Sequence, residues 1–109
     1  MFTLTFSSKI NDDIVSSIGY IKNTLQAPMA AENHVKELKK AYEKLKENPY
    51  SRPLVHDNYL ASQGIRFIKV KNYILIYYIN EGNKEVFLYR FMYSRRDWIN
   101  ILTKELTEE

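Results

Sequence analysis

Residues 73–79 read Tyr-Ile-Leu-Ile-Tyr-Tyr-Ile, a run that is apolar or aromatic throughout. A strand with one wet face alternates apolar and polar side chains. This run does not alternate, which predicts a central strand covered on both faces. Working outward, Ile65–Lys71 precedes it across a break near Asn72 and reads as a second strand. On the other side, Glu81-Gly82-Asn83 supplies a tight hairpin turn into a strand over Lys84–Tyr93. Strands joined by such short turns pair antiparallel.

The rest of the chain is mostly helical in pattern. Met1–Phe6 alternates Phe2, Leu4 and Phe6 with Thr3 and Thr5, the signature of a short strand with one buried face. Ser7 or Ser8 can then cap a helix, with Asp12 and Asp13 complementing its positive end. Ile10, Ile14, Ile18, Ile21 and Leu25 fall on one face of that helix. Gly19 weakens it slightly, which suggests a close neighbour. Pro28 suits the first turn of a second helix, whose buried stripe reads Ala31, Val35, Leu38, Tyr42 and Leu45 until Asn48-Pro49 stops it. So short a break predicts an antiparallel helical hairpin. Residues 49–64 are turn-rich and read as a surface connection. Asp97–Leu106 reads as a last short helix with Trp98, Leu102 and Leu106 against the sheet, and Glu108 and Glu109 trail into solvent. The order β-α-α-β-β-β-α predicts an α+β fold: an antiparallel sheet with an N-terminal helical hairpin packed on it and a short C-terminal helix. Length predicts a single domain over residues 1–109.

Composition narrows the chemistry. With no cysteine, disulfides, thiol nucleophiles and thiolate metal sites are excluded. No apolar run is long enough to span a bilayer and no secretory signal pattern opens the chain, so no membrane partner and a cytoplasmic location are expected. The net charge of +3 is unevenly spread: residues 65–98 hold seven Lys/Arg against three Asp/Glu. Such a basic excess attracts nucleic acid or an acidic protein segment.

Glycine-rich phosphate loops, zinc signatures and nucleophile elbows are missing, and neither His34 nor His56 has a partner at metal-ligand spacing. No cofactor or metal is expected. The remaining candidates for a target- or partner-binding surface are Arg66, Lys69, Lys71, Tyr73, Arg90, Tyr93, Arg95, Arg96 and Trp98. Arginine forks suit phosphate, and tyrosine can stack on bases or transfer a proton. Each has a plainer role available. Lys69 and Lys71 can simply solubilise an edge strand, and Tyr73 can be a core residue with its hydroxyl at the rim. Arg90, sharing strand parity with Val86, Leu88 and Met92, is either paired with an acid indoors or open to a cleft. Arg95 and Arg96 cap a strand-to-helix junction beside Asp97, a possible partner.

Three stretches carry a family resemblance: Lys46-Glu47-Asn48-Pro49 at the end of the hairpin, Gly64-Ile65-Arg66 with Asn72-Tyr73-Ile74-Leu75-Ile76-Tyr77-Tyr78, and Tyr89-Arg90-Phe91-Met92-Tyr93-Ser94-Arg95-Arg96-Asp97. In this order they span nearly the whole chain, which resembles the RelE/ParE superfamily of toxins from bacterial toxin–antitoxin operons. The resemblance implies the same fold, a cognate antitoxin that neutralises the protein in a hetero-oligomer, and one of two targets. ParE-type members poison DNA gyrase; RelE-type members cleave mRNA in the ribosome. The long hairpin and the Tyr89–Asp97 ending look more like ParE, although ParE-like chains often carry a histidine where Tyr93 stands. RelE-type enzymes place an arginine just after the tyrosine of the central strand, where this chain has Ile74. The favoured expectation is therefore a non-enzymatic gyrase inhibitor. The alternative is a metal-independent endoribonuclease in which Arg95 or Arg96 stabilises the transition state and Tyr93, Lys69 or Lys71 moves protons. A third expectation is a basic binding module without toxicity.

Overall fold

A computed structural model describes residues 1–108. The elements run β1 (Thr3–Phe6), α1 (Ile10–Gly19), a π-helical turn over Tyr20–Thr24, and α2 (Pro28–Glu47). A 3-10 turn over Pro49–Ser51 leads to α3 (Asn58–Ser62), β2 (Arg66–Val70), β3 (Tyr73–Asn80), β4 (Glu85–Tyr93) and α4 (Trp98–Thr107). This is the expected α+β order with one short helix, α3, added before β2. Glu109 lies outside the described residues.

The sheet order is β1-β4-β3-β2. β2, β3 and β4 pair antiparallel, as the short turns demand. β1 instead joins β4 in parallel, because the chain leaves β1 through the helical hairpin and returns at the far edge of the sheet. The unalternating run does lie between two strands and between two cores. Ile74, Leu75, Ile76 and Tyr77 are each at most 2% exposed. Leu75 and Tyr77 face the hairpin beside Leu38, Ala41 and Leu45; Ile74 and Ile76 face α3 and α4 beside Leu60 and Leu102. Each such side chain contributes about 1.5–3 kcal/mol by leaving water.

Period two fails once, in β4. Tyr77 pairs with Leu88 but Ile76 pairs with Arg90, so Tyr89 is an extra residue in a bulge. Val86, Leu88 and Phe91 therefore face the hairpin, while Met92 faces α4. The expected parity of Arg90 with Val86 and Leu88 is corrected: beyond the bulge it runs with Met92.

The helices deviate locally too. Ser7 does not cap α1. Its hydroxyl donates to the Tyr89 carbonyl at the bulge, and the N-cap position is Lys9 without a side-chain bond. The connection after α2 is more than surface. Asp57 caps α3 by accepting from the Leu60 amide (3.0 Å), and Leu60 and Val55 enter the α4-side core. Gly64, at φ 80°, then closes α3: its own amide bonds to Ala61 and that of Ile65 to Leu60. That is a glycine-dependent helix stop.

Gly19 lacks the close neighbour its presence suggested. A methyl group there would meet nothing within 4 Å, and its backbone is helical at φ −61° and ψ −40°. Gly19→Ala should therefore stabilise the protein by about 0.5–1 kcal/mol by restricting the unfolded chain. A thermal melt should rise by several degrees; an unchanged or lower midpoint would mean the following π-helical turn needs the glycine.

Candidate functional site

The hairpin turn between β2 and β3 is only Lys71-Asn72, and Lys71 takes a left-handed φ of 58° that non-glycine residues rarely adopt. Across the sheet, β4 ends at Tyr93, paired with Tyr73, and the Ser94 amide donates to the Asn72 carbonyl (2.8 Å). That bond ties the Ser94–Arg96 turn to the Lys71–Asn72 turn. One end of the sheet thus carries Lys71, Tyr73, Tyr93, Arg95 and Arg96 together.

Over this end lies the π-helical turn. It swings Tyr20 and Ile21 past the regular helical path and opens a groove of about 710 Å3 between the hairpin and the sheet. Tyr73 lies in its floor, stacked on Phe91 (centroids 5.1 Å apart, 11° between planes) and edge-on to Tyr93 (5.7 Å). His34 of α2 meets Tyr73 at 5.0 Å and Phe91 at 5.5 Å. Its buried Nε2 lies 2.9 Å from the Ser17 hydroxyl. That hydroxyl also reaches the Ile14 carbonyl (2.7 Å), so it ties His34 of α2 to α1 inside the hairpin. Burial holds His34 below its ordinary pKa and keeps it neutral. Burial also raises the Tyr73 phenol, and the neighbouring phenols of Tyr20 and Tyr93 add to the shift. The floor is thus an uncharged aromatic cluster with its outer rings, Tyr20 and Tyr93, 50% and 43% exposed.

The same end of the sheet is cationic. Lys71, Arg95 and Arg96 are exposed and make no ion pair among the described residues. Arg95 and Arg96 do not pair with Asp97, whose carboxylate accepts from Asn100 instead (2.8 Å). No acidic residue lines the groove among the described residues. Such a surface suits an anion with a flat or apolar body.

The other candidates lie elsewhere. Lys69 is exposed at the same end, but its alternation with Val70 puts it on the α4 face of β2. Arg66 begins β2, at the far end of the sheet, where its guanidinium donates to the Arg52 carbonyl and lies 5.5 Å from the centre of the Tyr50 ring. Trp98 packs edge-on against Phe67 (5.6 Å) in the α4-side core. Arg90 takes the indoor one of its two expected roles and offers no free charge for binding. At 8% exposure it is held indoors, forked on Asp13 (2.7 and 3.0 Å) and bonded to Glu105. The Asp13 hydrogen bond raises its already high pKa, so it is always charged.

His34, Tyr20, Asn33 and Asn72 of the groove escaped the sequence-based selection. For His34 a signal existed: the stripe actually buried on α2 is Ala31, His34, Leu38, Ala41 and Leu45, at steps of three and four. Val35 and Tyr42 flank that stripe, half-buried.

Comparison with known proteins places these features in context. The family model described as ParE toxin of type II toxin–antitoxin systems, parDE, matches residues 4–98. Among solved structures, a chromosomal ParDE toxin–antitoxin system from P. aeruginosa has a similar chain, with a TM-score of 0.63 and 17% identity. The match covers 85% of this chain and 96% of that one. The toxin–antitoxin complex RelBE from Mycobacterium tuberculosis contains another, with a TM-score of 0.59 and 17% identity over 84% of this chain and 96% of that one. Both likenesses are of fold. Among curated protein sequences none matches significantly.

Proposed function

The chain belongs to the ParE toxin family of type II toxin–antitoxin systems, and from that premise we propose that it arrests growth by inhibiting DNA gyrase and is neutralised by a cognate antitoxin. The observation that carries the choice of target is Ile74. RelE-type enzymes place an arginine there, where it could face a scissile phosphate. Here the position is 2% exposed and packed among Leu60, Met92 and Leu102, so it lends no charge to the surface. The exposed cations at that end of the sheet, Arg95 and Arg96 among them, then serve to grip a protein target or an acidic antitoxin tail rather than to cleave a phosphodiester.

A second reading, ribosome-dependent mRNA cleavage, draws support from Tyr93, Lys71, Arg95 and Arg96 lying together at one end of the sheet, with Lys69 on the opposite face. Charge stabilisation there could replace the missing arginine. One pair of measurements separates the two. Purified protein should block gyrase supercoiling near stoichiometric amounts, and pre-mixing with the product of an adjacent antitoxin gene should restore it. Messenger RNA recovered after induction should stay intact. Untouched supercoiling together with fresh message ends would reverse the choice of target. Harmless overexpression without antitoxin would sink both readings.

A further inference from the structure

We propose that the groove between the π-helical turn and the end of the sheet is a binding site for a nucleotide, with the base among the tyrosine rings and the phosphate at Lys71. The inference goes beyond gyrase inhibition and does not depend on it.

The observations are of four kinds. First, the volume of about 710 Å3 lies within the range of small-ligand sites, and the groove is open at one side. Second, its walls offer flat surfaces at two heights. Tyr73 lies in the floor, backed by the buried Phe91 ring stacked beneath it, while Tyr20 and Tyr93 line the same groove half-exposed. Exposed rings in a concave place are costly to leave wet and ready to stack. Third, Asn33 on α2 and Asn72 in the β2–β3 turn both line the groove, and neither side-chain amide is hydrogen-bonded within the chain among the described residues. An amide offers a donor and an acceptor side by side, the pattern that a base edge presents in complement. An apolar peptide side chain would leave both amides unmatched. Fourth, the charge is one-sided. Lys71 lines the groove, Arg95 and Arg96 stand on the turn bonded to Asn72, and no carboxylate lines the groove among the described residues.

Neutral His34 fits this picture as part of the floor. Its Nε2 is engaged by the Ser17 hydroxyl, and it supplies a flat uncharged edge against Tyr73. It is a positioning residue for Tyr73 and makes no contact with the ligand.

The test uses the whole chain and defined probes: AMP, GMP, adenosine and a short oligoadenylate, followed by NMR of the tyrosine ring protons. Trp98, packed on the opposite face, is the internal control. Saturable shifts of Tyr20 and Tyr93 with AMP or GMP are expected, with the Trp98 signal still. AMP should bind more tightly than adenosine, and Lys71→Ala should erase that preference while sparing adenosine. Tyr93→Ala, on a surface ring, should weaken AMP at least about fivefold without lowering the melting temperature. Shifts with oligoadenylate alone would place the same chemistry on a single strand, and shifts with AMP would place it on a free nucleotide. The proposal is overturned if neither ligand moves the tyrosines at millimolar concentration. It is equally overturned if an acidic, aromatic-containing peptide saturates the groove while the nucleotides do not, or if adenosine and AMP bind alike.

Discussion

Arg90→Ala should cost the protein about 3–5 kcal/mol, a large share of the stability of a chain this size. The reason lies in what remains behind. Asp13 and Glu105 are only 12% and 19% exposed at their side chains, and Arg90 is the cation between them. Asp13 also accepts the Phe91 amide (3.0 Å), on the stretch of β4 that β1 is too short to cover. The pair therefore closes an open sheet edge and draws α1 and α4 to the same point. Glu105 keeps Lys9 (3.1 Å) and Tyr89 (3.2 Å) as further partners, so Asp13 loses more than Glu105 does. Arg90→Met should not rescue the fold, because a thioether gives neither carboxylate a donor. Arg90→Lys should recover part of the loss, restoring the charge without the fork. Urea denaturation followed at a fixed pH would show the order wild type, lysine, then methionine and alanine together. If alanine instead matches wild type, the ion pair is dispensable and Arg90 is free for another role. The result bears on function as well. A loss of toxicity in Arg90→Ala would report unfolding, whereas the same loss in Arg95→Ala, at an exposed and unpaired side chain, would report a lost contact.

The difference between those arginines marks the limit of what the sequence could tell. Adjacent strand residues alternate faces, and from alternation alone Arg90 falls in the stripe of Val86 and Leu88. The bulge at Tyr89 breaks the count, and nothing in Leu88-Tyr89-Arg90 announces it. The bulge depends on tertiary partners: the Ser7 hydroxyl at the Tyr89 carbonyl and Asp13 at the Phe91 amide. Both come from more than 75 residues away in sequence. The central strand was legible because its signal is local, an unbroken apolar run bounded by turns. The helical hairpin was legible for the same reason. Parallel pairing of β1 was not, since strand pattern carries no direction. In the site, Lys71, Tyr73 and Tyr93 could be grouped from the hairpin register. His34 could not be added, because a histidine in a helical stripe looks alike whether it binds Ser17, a ligand or water. The π-helical turn that shapes the groove is likewise silent: Tyr20–Thr24 continues the apolar period of α1 closely enough to read as ordinary helix.

Tyr77→Ala should destabilise the protein by about 3–5 kcal/mol, comparable to the Arg90 change but by a different mechanism. The ring is fully buried at the hairpin side of β3, and its hydroxyl donates to the Pro49 carbonyl just beyond α2 (2.7 Å). It thus fastens the exit of the helical hairpin to the middle of the sheet. Truncation opens a cavity between them and strands a carbonyl. Tyr77→Phe separates the two effects, since it keeps the ring and loses only the bond, for about 1–2 kcal/mol. The pair also carries a pH signature. Burial pushes the Tyr77 phenol up to about 12, against an ordinary value near 10 in the unfolded chain. The folded state therefore favours the protonated phenol. The resulting stability is complete below pH 10 and is lost as pH rises from about 10 to about 12, where only the unfolded chain first releases its proton. Wild type should weaken over that window by about 2 kcal/mol on account of Tyr77. Tyr42 and Tyr73, also raised by burial, add to the same trend. Tyr77→Phe should start lower at neutral pH and fall less steeply, so that the two denaturation curves converge in alkali. Parallel curves across that range would mean that the Tyr77 phenol titrates alike in the folded and unfolded chain, and the link between β3 and the hairpin would then rest on packing alone.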